Sequence, residues 1–257
     1  MKVYCINLDR RPDRFAHMIR ECGRLGIAFE RVAATDGASP EVAARATGIP
    51  VSHWGWQMSA PAYACLQSHC AVWRRIVESG EPGGMVLEDD AILAADLGRY
   101  LQDGWVPADA DLVKLETFGG RIHLSKAATA ISAGRHLHRL RSGHPGTAGY
   151  VVSAVAAARL LDASQTTGDP VDEFMFNEEL PFFATACIYQ MHPAPIIQGD
   201  RSTVRQDWGA TDIAVRAGAS VERARSPETA AQRLSRRLCN EVTARLRGTR
   251  YVVVRHG

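Results

Sequence analysis

Gly84-Met85-Val86-Leu87-Glu88-Asp89-Asp90 is the stretch from which the architecture is read. Met85, Val86 and Leu87 form an uninterrupted apolar run, the pattern of a strand covered on both faces. Three carboxylates follow at once. A strand ending in them delivers Glu88, Asp89 and Asp90 at its carboxyl end, where open α/β sheets collect their ligands. Clustered carboxylates repel one another, and a bound Mg²⁺ or Mn²⁺ relieves the repulsion while bridging to phosphate oxygens. All-oxygen ligands suit such a hard ion better than zinc. An isolated acidic triplet is, even so, more often a helix cap or a solvated turn.

Outward from this point the chain alternates strand and helix. An apolar, β-rich run at 2–8 precedes Pro12, which sits where a first helical turn accepts it, and a helix is predicted as far as Leu25, with Gly26 stopping it. Residues 28–33 read as a second strand. Leu66, His69, Trp73, Ile76 and Val77 keep helical spacing over 61–78, closed by Gly80. Strands are expected at 111–116, 149–152 and 185–190, and helices at 154–163 and 172–180. This alternation predicts an α/β fold with helices on the faces of a sheet. Residues 37–60 and 118–144 are aperiodic and read as binding loops over a sheet edge. No GxGxxG or P-loop motif is present, so phosphate binding falls to a metal ion and side chains.

The 257 residues, 46% hydrophobic and 23% charged, describe a globular chain. The expectation is one main domain over 1–215 followed by a basic, partly helical tail over 216–257, with an Arg-rich amphipathic helix at 227–246. The tail holds ten Arg against three Glu, a net +7, leaving about −5 on the rest. Such a tail suits either an anionic surface or a plain solvated face, Arg being also a good helix former; lacking interleaved aromatics and a recognition motif, it points to membrane headgroups over nucleic acid among anionic surfaces. With no apolar run long enough to cross a bilayer and no signal peptide, the expected location is cytoplasmic, with peripheral contact at the inner face of the membrane. Cys5, Cys22, Cys65, Cys70, Cys187 and Cys239 are scattered without a CxxC pair and read as reduced, mostly buried thiols.

Several segments, in order, resemble the family 25 glycosyltransferases of lipooligosaccharide synthesis. Ile6-Asn7-Leu8-Asp9-Arg10-Arg11, with Asp13-Arg14, is similar to the family's N-terminal motif, Ser68-His69 and Val72-Trp73 to its central helix, and Leu87 to Asp90 to its acidic metal motif. Lys114-Leu115-Glu116-Thr117, Gly146-Thr147-Ala148-Gly149-Tyr150, Pro170-Val171-Asp172 and the run from Pro193 to Gln198 resemble later blocks. The resemblance implies a GT-A fold, a Rossmann-like nucleotide-binding half merged with an acceptor-binding half. It further implies a UDP-sugar donor, most often UDP-galactose, and inversion at the anomeric carbon.

Roles follow from that resemblance. Asp90 is the expected direct metal ligand, for Mn²⁺ or Mg²⁺. Glu88 is expected at the ribose or the metal's water shell, with Asp89 beside them. Asp172 is the candidate base, set against a plain helix N-cap, and Glu173 is its runner-up. Glu116 is a candidate for acceptor or sugar hydroxyls. Arg10 and Arg14, with Asn7 and Leu8 at the end of the first strand, are expected near the nucleotide, and Gly146 and Thr147 in a turn against the ligand. His69 reads as a hydrogen-bonded core histidine and Tyr150 as core. His192 tempts as a further metal ligand, Gln198 matches the family better, and the position stays open. The expected partners are a nucleotide sugar and a glycan or lipid-linked oligosaccharide acceptor. Two alternatives stand beside this: a transferase for another nucleotide sugar or for a protein or small-molecule acceptor, and a catalytically silent nucleotide-binding protein.

Overall fold

A computed structural model describes residues 1–102, 104–199 and 248–257. β1 (Lys2–Asn7) sets the plan, because successive side chains point to opposite faces. Val3 and Cys5 enter one apolar cluster with Met18 and Cys22 of α1 (Pro12–Arg24), and Tyr4 and Ile6 enter another with Leu66, Trp73 and Ile76 of α3 (Ala60–Glu78). The sheet therefore has a core on each face. α3 begins at Ser59, whose hydroxyl accepts from the Ala62 N–H, and the chain leaves it through Gly80 at φ +72°.

β1 lies between β2 (Glu30–Ala33) and β3 (Gly83–Glu88), parallel to both, with Ile6 opposite Glu88. The remaining elements are α2 (Pro40–Ala46), β4 (Ala91–Leu93), β5 (Leu112–Lys114), β6 (Glu116–Thr117), β7 (Arg121–Ala130), β8 (His136–Leu140), β9 (Gly149–Ser153), α4 (Ala154–Ala163), α5 (Val171–Phe176), α6 (Pro181–Thr185), β10 (Ile188–His192), β11 (Ile196–Gln198) and β12 (Thr249–Val253). Among the described residues a nine-stranded mixed sheet runs β12-β7-β8-β10-β5-β9-β3-β1-β2, and a small sheet runs β4-β11-β6. β9 lies antiparallel to both β3 and β5. A large mixed sheet flanked by helices matches the Rossmann-like GT-A arrangement.

Four expectations are corrected. The strand expected at 111–116 breaks at Leu115, because Glu116 and Thr117 leave the large sheet to pair with Ile196 and Ile197 in the small one. The helix expected at 172–180 ends early: α5 stops at Phe176, a turn occupies the rest of that range, and α6 starts beyond it at Pro181. Thr185 ends α6, so the next strand starts at Ile188. The aperiodic 118–144 contains the hairpin β7–β8, whose Leu124 to Ala128 irregularity masks the alternation. The Arg-rich helix expected at 227–246, and Cys239, lie outside the described residues. The end of the basic segment is β12, antiparallel to β7.

Candidate active site

The pleat of β3 decides where the acidic motif points. Met85 and Leu87 face the α1 side, so Val86 and Glu88 face α3. There Glu88 Oε1 accepts from His69 Nε2 at 3.1 Å and from the Thr147 hydroxyl at 2.5 Å. His69 Nδ1 lies 2.8 Å from the Tyr150 hydroxyl, which also accepts from Trp73 Nε1 at 2.8 Å. His69, Tyr150 and Trp73 are fully buried, so His69 is the core histidine expected, with one ring nitrogen on the acidic motif. Burial works to raise the Glu88 carboxyl, but the His69 and Thr147 bonds and the Lys114 charge hold it below its ordinary value.

Asp89 turns to the other side. Its Oδ2 accepts from Asn7 Nδ2 at 2.8 Å and its Oδ1 from Arg14 Nη1 at 3.1 Å. Burial outweighs these bonds and leaves the carboxyl above its ordinary value. Asn7, expected near the nucleotide, uses its amide to tie Asp89 to the Arg11 carbonyl and accepts from Arg31 Nε, so it braces the motif. Arg14 lies 3.8 Å from Asp90 Oδ2 and sits buried between the two aspartates. Leu8 follows β1 in the turn toward α1. Arg10 pairs with Asp36 at the surface.

Asp90 differs from its neighbours. It is buried, and its Oδ1 has no hydrogen-bond partner. Burial, then the charges of Glu88, Asp89 and Glu116 against the relief from Arg14, push its carboxyl well above the ordinary value. Its backbone is pinned, with the Gly199 N–H donating to the Asp90 carbonyl at 2.8 Å. An unpartnered carboxylate oxygen, crowded by like charges beside a strand end, is a fitting ligand for a hard divalent cation. Gln198 lies in the adjoining strand, opposite Ala91. His192 lies opposite His136 with its ring 6.3 Å from that of His138, in a histidine group on β8 and β10.

The second half of the site is built on the β5–β6 break. Lys114 and Glu116 are both fully buried and 3.5 Å apart, with the ammonium 4.0 Å from the Phe176 ring centroid and donating to the Gly146 carbonyl. Glu116 Oε2 also accepts from the Ala148 N–H at 2.9 Å. Gly146 stands at φ +97°, and a Cβ there would come within 2.5 Å of Glu116 Oε1, so the turn needs glycine. Its N–H donates to Asp172 Oδ2 at 3.3 Å. Asp172 is not the N-cap, which is Pro170; it lies in the first turn of α5, half-buried. Glu173 Oε2 accepts from Asn177 Nδ2 at 2.6 Å along the same helix.

Thus Glu88, Thr147, Gly146, Glu116 and Asp172 form one connected wall, and Asp89, Arg14 and Asn7 brace Asp90 beside it. Residues 1–175 match the profile of glycosyltransferase family 25 (LPS biosynthesis protein). The chain belongs to this family. It is 32% identical over 188 residues to the lacto-N-neotetraose biosynthesis glycosyltransferase LgtB of Neisseria meningitidis serogroup B, covering 69% of this chain and 68% of that one. It is 32% identical over 146 residues to the lipooligosaccharide biosynthesis protein lex-1 of Haemophilus influenzae, covering 52% and 48%. Procollagen galactosyltransferase 1 of Danio rerio is 30% identical over 189 residues, covering 68% of this chain and 30% of that longer one.

For a family 25 glycosyltransferase, two residues gain weight that isolated sequence reading did not give them. Lys114 is a lysine inside an apolar strand, a signal that a buried countercharge must be near. Gln190 is fully buried and donates to the carbonyls of Lys114 and Glu116, so it holds the chain where it changes sheets. Among the described residues, no helix is long and apolar enough to cross a membrane. Cys5, Cys22, Cys65, Cys70 and Cys187 are free, as expected.

Proposed function

We propose that this glycosyltransferase transfers galactose, with inversion, from UDP-galactose to a hydroxyl of a lipid-linked glycan acceptor, and that it uses a divalent cation. The carrying observation is Asp90, whose buried, unpartnered carboxylate oxygen stands at the end of β3 in a family 25 chain. Similarity to proteins named for lipooligosaccharide and galactosyl transfer supports the acceptor class and the sugar.

Asp90, with Glu88 beside it, would hold Mn²⁺ or Mg²⁺, and the bound ion supplies neutralisation of the charge on the leaving diphosphate. Every other task falls to the chain. Asn7 and Arg14 hold Asp89 and keep the motif from splaying. Asp172 is the base: its half-exposed carboxylate, aimed by the Gly146 N–H, takes the proton from the acceptor hydroxyl as that oxygen attacks. Glu173 serves this role less well because Asn177 engages its carboxylate. Glu116, held by Lys114 and the Ala148 N–H, orients a sugar hydroxyl.

The test is calorimetric titration of UDP with and without Mn²⁺. Mn²⁺ should strengthen UDP binding at least about tenfold in the wild type and have no effect on Asp90→Asn. Indifference of the wild type to Mn²⁺ would remove the metal from the reading.

The net +7 on 216–257 supports peripheral binding to anionic lipid, at up to about 1 kcal/mol per basic residue near the surface. Truncation is a poor probe, since it removes β12. Replacing Arg233, Arg236 and Arg237 by Gln should instead weaken sedimentation with phosphatidylglycerol vesicles; unchanged binding would locate the contact elsewhere.

A further inference from the structure

Cys65 and His69 are one turn apart on α3 and so share a face, and that face looks onto Glu88 at the end of β3. A thiol sulfur, an imidazole nitrogen and a carboxylate oxygen from these three residues all lie within 4.8 Å of one another. The His69 Nε2 to Glu88 Oε1 distance is 3.1 Å. That is close to the edge of about 3.3 Å spanned by two tetrahedral bonds of roughly 2.0–2.1 Å. The imidazole is braced from behind, Nδ1 on the Tyr150 hydroxyl and that hydroxyl on Trp73 Nε1, as metal-bound histidines are.

The donor set differs in kind from that of Asp90. Carboxylate oxygens alone select hard ions, whereas sulfur, nitrogen and oxygen together select a borderline-soft one. We propose that Cys65, His69 and Glu88 form a second cation site, for Zn²⁺ or an ion of its class, whose occupancy antagonises the hard ion at Asp90. The antagonism rests on the proposed metal-dependent transfer; the binding does not.

The chemistry balances simply. Cys65 loses its thiol proton to solvent as the sulfur–metal bond forms. In the tautomer that donates from Nε2 to Glu88, Nδ1 accepts from the Tyr150 hydroxyl; to coordinate, the ring gives up its Nε2 proton and takes one on Nδ1, so that the Tyr150 oxygen becomes the acceptor and its hydroxyl hydrogen turns away from the ring. One proton is released per ion, and three protein ligands leave one tetrahedral position open. Cys65 is half-buried, which leaves an approach. Antagonism follows from Glu88, which the two sites share: a cation bound to its carboxylate through Cys65 and His69 withdraws that group from the hard ion beside Asp90 and places a like charge next to it.

The test uses the full chain, freed of metal by chelation, and Co²⁺ as the probe. Wild-type protein should develop a near-ultraviolet thiolate-to-cobalt charge-transfer band together with intense tetrahedral d–d bands, saturating at one ion and bleached by Zn²⁺. Asp90→Asn should keep the band. Cys65→Ser should lose it, and its Zn²⁺ affinity should fall at least about tenfold. Matching circular dichroism and unfolding midpoints of the metal-free proteins show that the variant folds. No band in wild type, or a band that survives in Cys65→Ser, overturns the site. In transfer assays with Mn²⁺, Zn²⁺ should inhibit the wild type at concentrations at least about tenfold below those needed for Cys65→Ser; equal sensitivity overturns the antagonism. A cobalt band in a protein without transferase activity would leave the site standing and remove the functional reading.

Discussion

Replacing Tyr150 by Phe removes one oxygen atom from the interior, and that atom serves two partners. Trp73 Nε1 donates to it and His69 Nδ1 bonds to it, each at 2.8 Å, and all three residues are fully buried. In the variant both nitrogens lose their partner in a place water does not reach. A buried polar group left unsatisfied costs about 1–3 kcal/mol. Two of them, offset in part because Phe is easier to bury than Tyr, give a loss of about 2–4 kcal/mol. With a urea m-value of about 3 kcal/mol/M, the unfolding midpoint should fall by about 1 M at unchanged m. Tryptophan fluorescence in urea reads it directly. The double-mutant cycle with Trp73→Phe should show a coupling of about 1 kcal/mol or more. A midpoint shift below about 0.2 M, or no coupling, would refute the bridge and the brace it provides for His69 and Glu88.

Other perturbations test the rest of the wall. Lys114→Met strands the buried Glu116 charge and should destabilise by about 3–5 kcal/mol, with Lys114→Met/Glu116→Gln recovering part of it in thermal unfolding. Asp90 has a folded-state carboxyl raised above its ordinary 3.8, so its contribution favours folding at acid pH and is lost as pH rises through the raised value. Without added metal, Asp90→Asn should therefore melt above wild type at pH 8, and that advantage should vanish below about pH 4; the same gap at both pH values would deny a titrating Asp90. Asp172→Asn should lower kcat by about 10²–10⁴-fold with Mn²⁺–UDP affinity unchanged, a split measured by steady-state kinetics and calorimetry.

The elements legible in the sequence are those whose signal is local. β1, α1, α3 and α4 declare themselves through period, Pro12, Gly26 and Gly80, and α4 spans 154–163 as predicted. The breaks are not local. Leu115 separates two strands because Ile196 and Ile197 recruit Glu116 and Thr117 from 80 residues away, and an apolar run carries no mark of such a partner. β7 and β8 are likewise stabilised by pairing across the chain, with side chains too polar and irregular to announce a strand, whereas β12, Thr-Arg-Tyr-Val-Val, has strand composition that the basic segment around it masks. In the site, the acidic motif was legible as a strand end, and the Gly146 turn as a glycine turn. Which carboxylate is braced and which is left open was not, since Arg14, Asn7, His69 and Thr147 choose among Glu88, Asp89 and Asp90 only after folding. Lys114 looked like one residue of a matched block, though it is a buried countercharge.

The register of β3 against β1, with Ile6 opposite Glu88, couples foldability to chemistry. Alternation along the strand means that deleting or inserting one residue between Gly83 and Leu87 flips everything beyond it to the other face. Glu88 would then drive a carboxylate into the packing beneath α1 and present an apolar group to His69. Apolar exchanges at Val86 or Leu87 alter only how well the interior fills. This strand is therefore open to drift by substitution and closed to drift by length, and homologous chains should align through it without a gap.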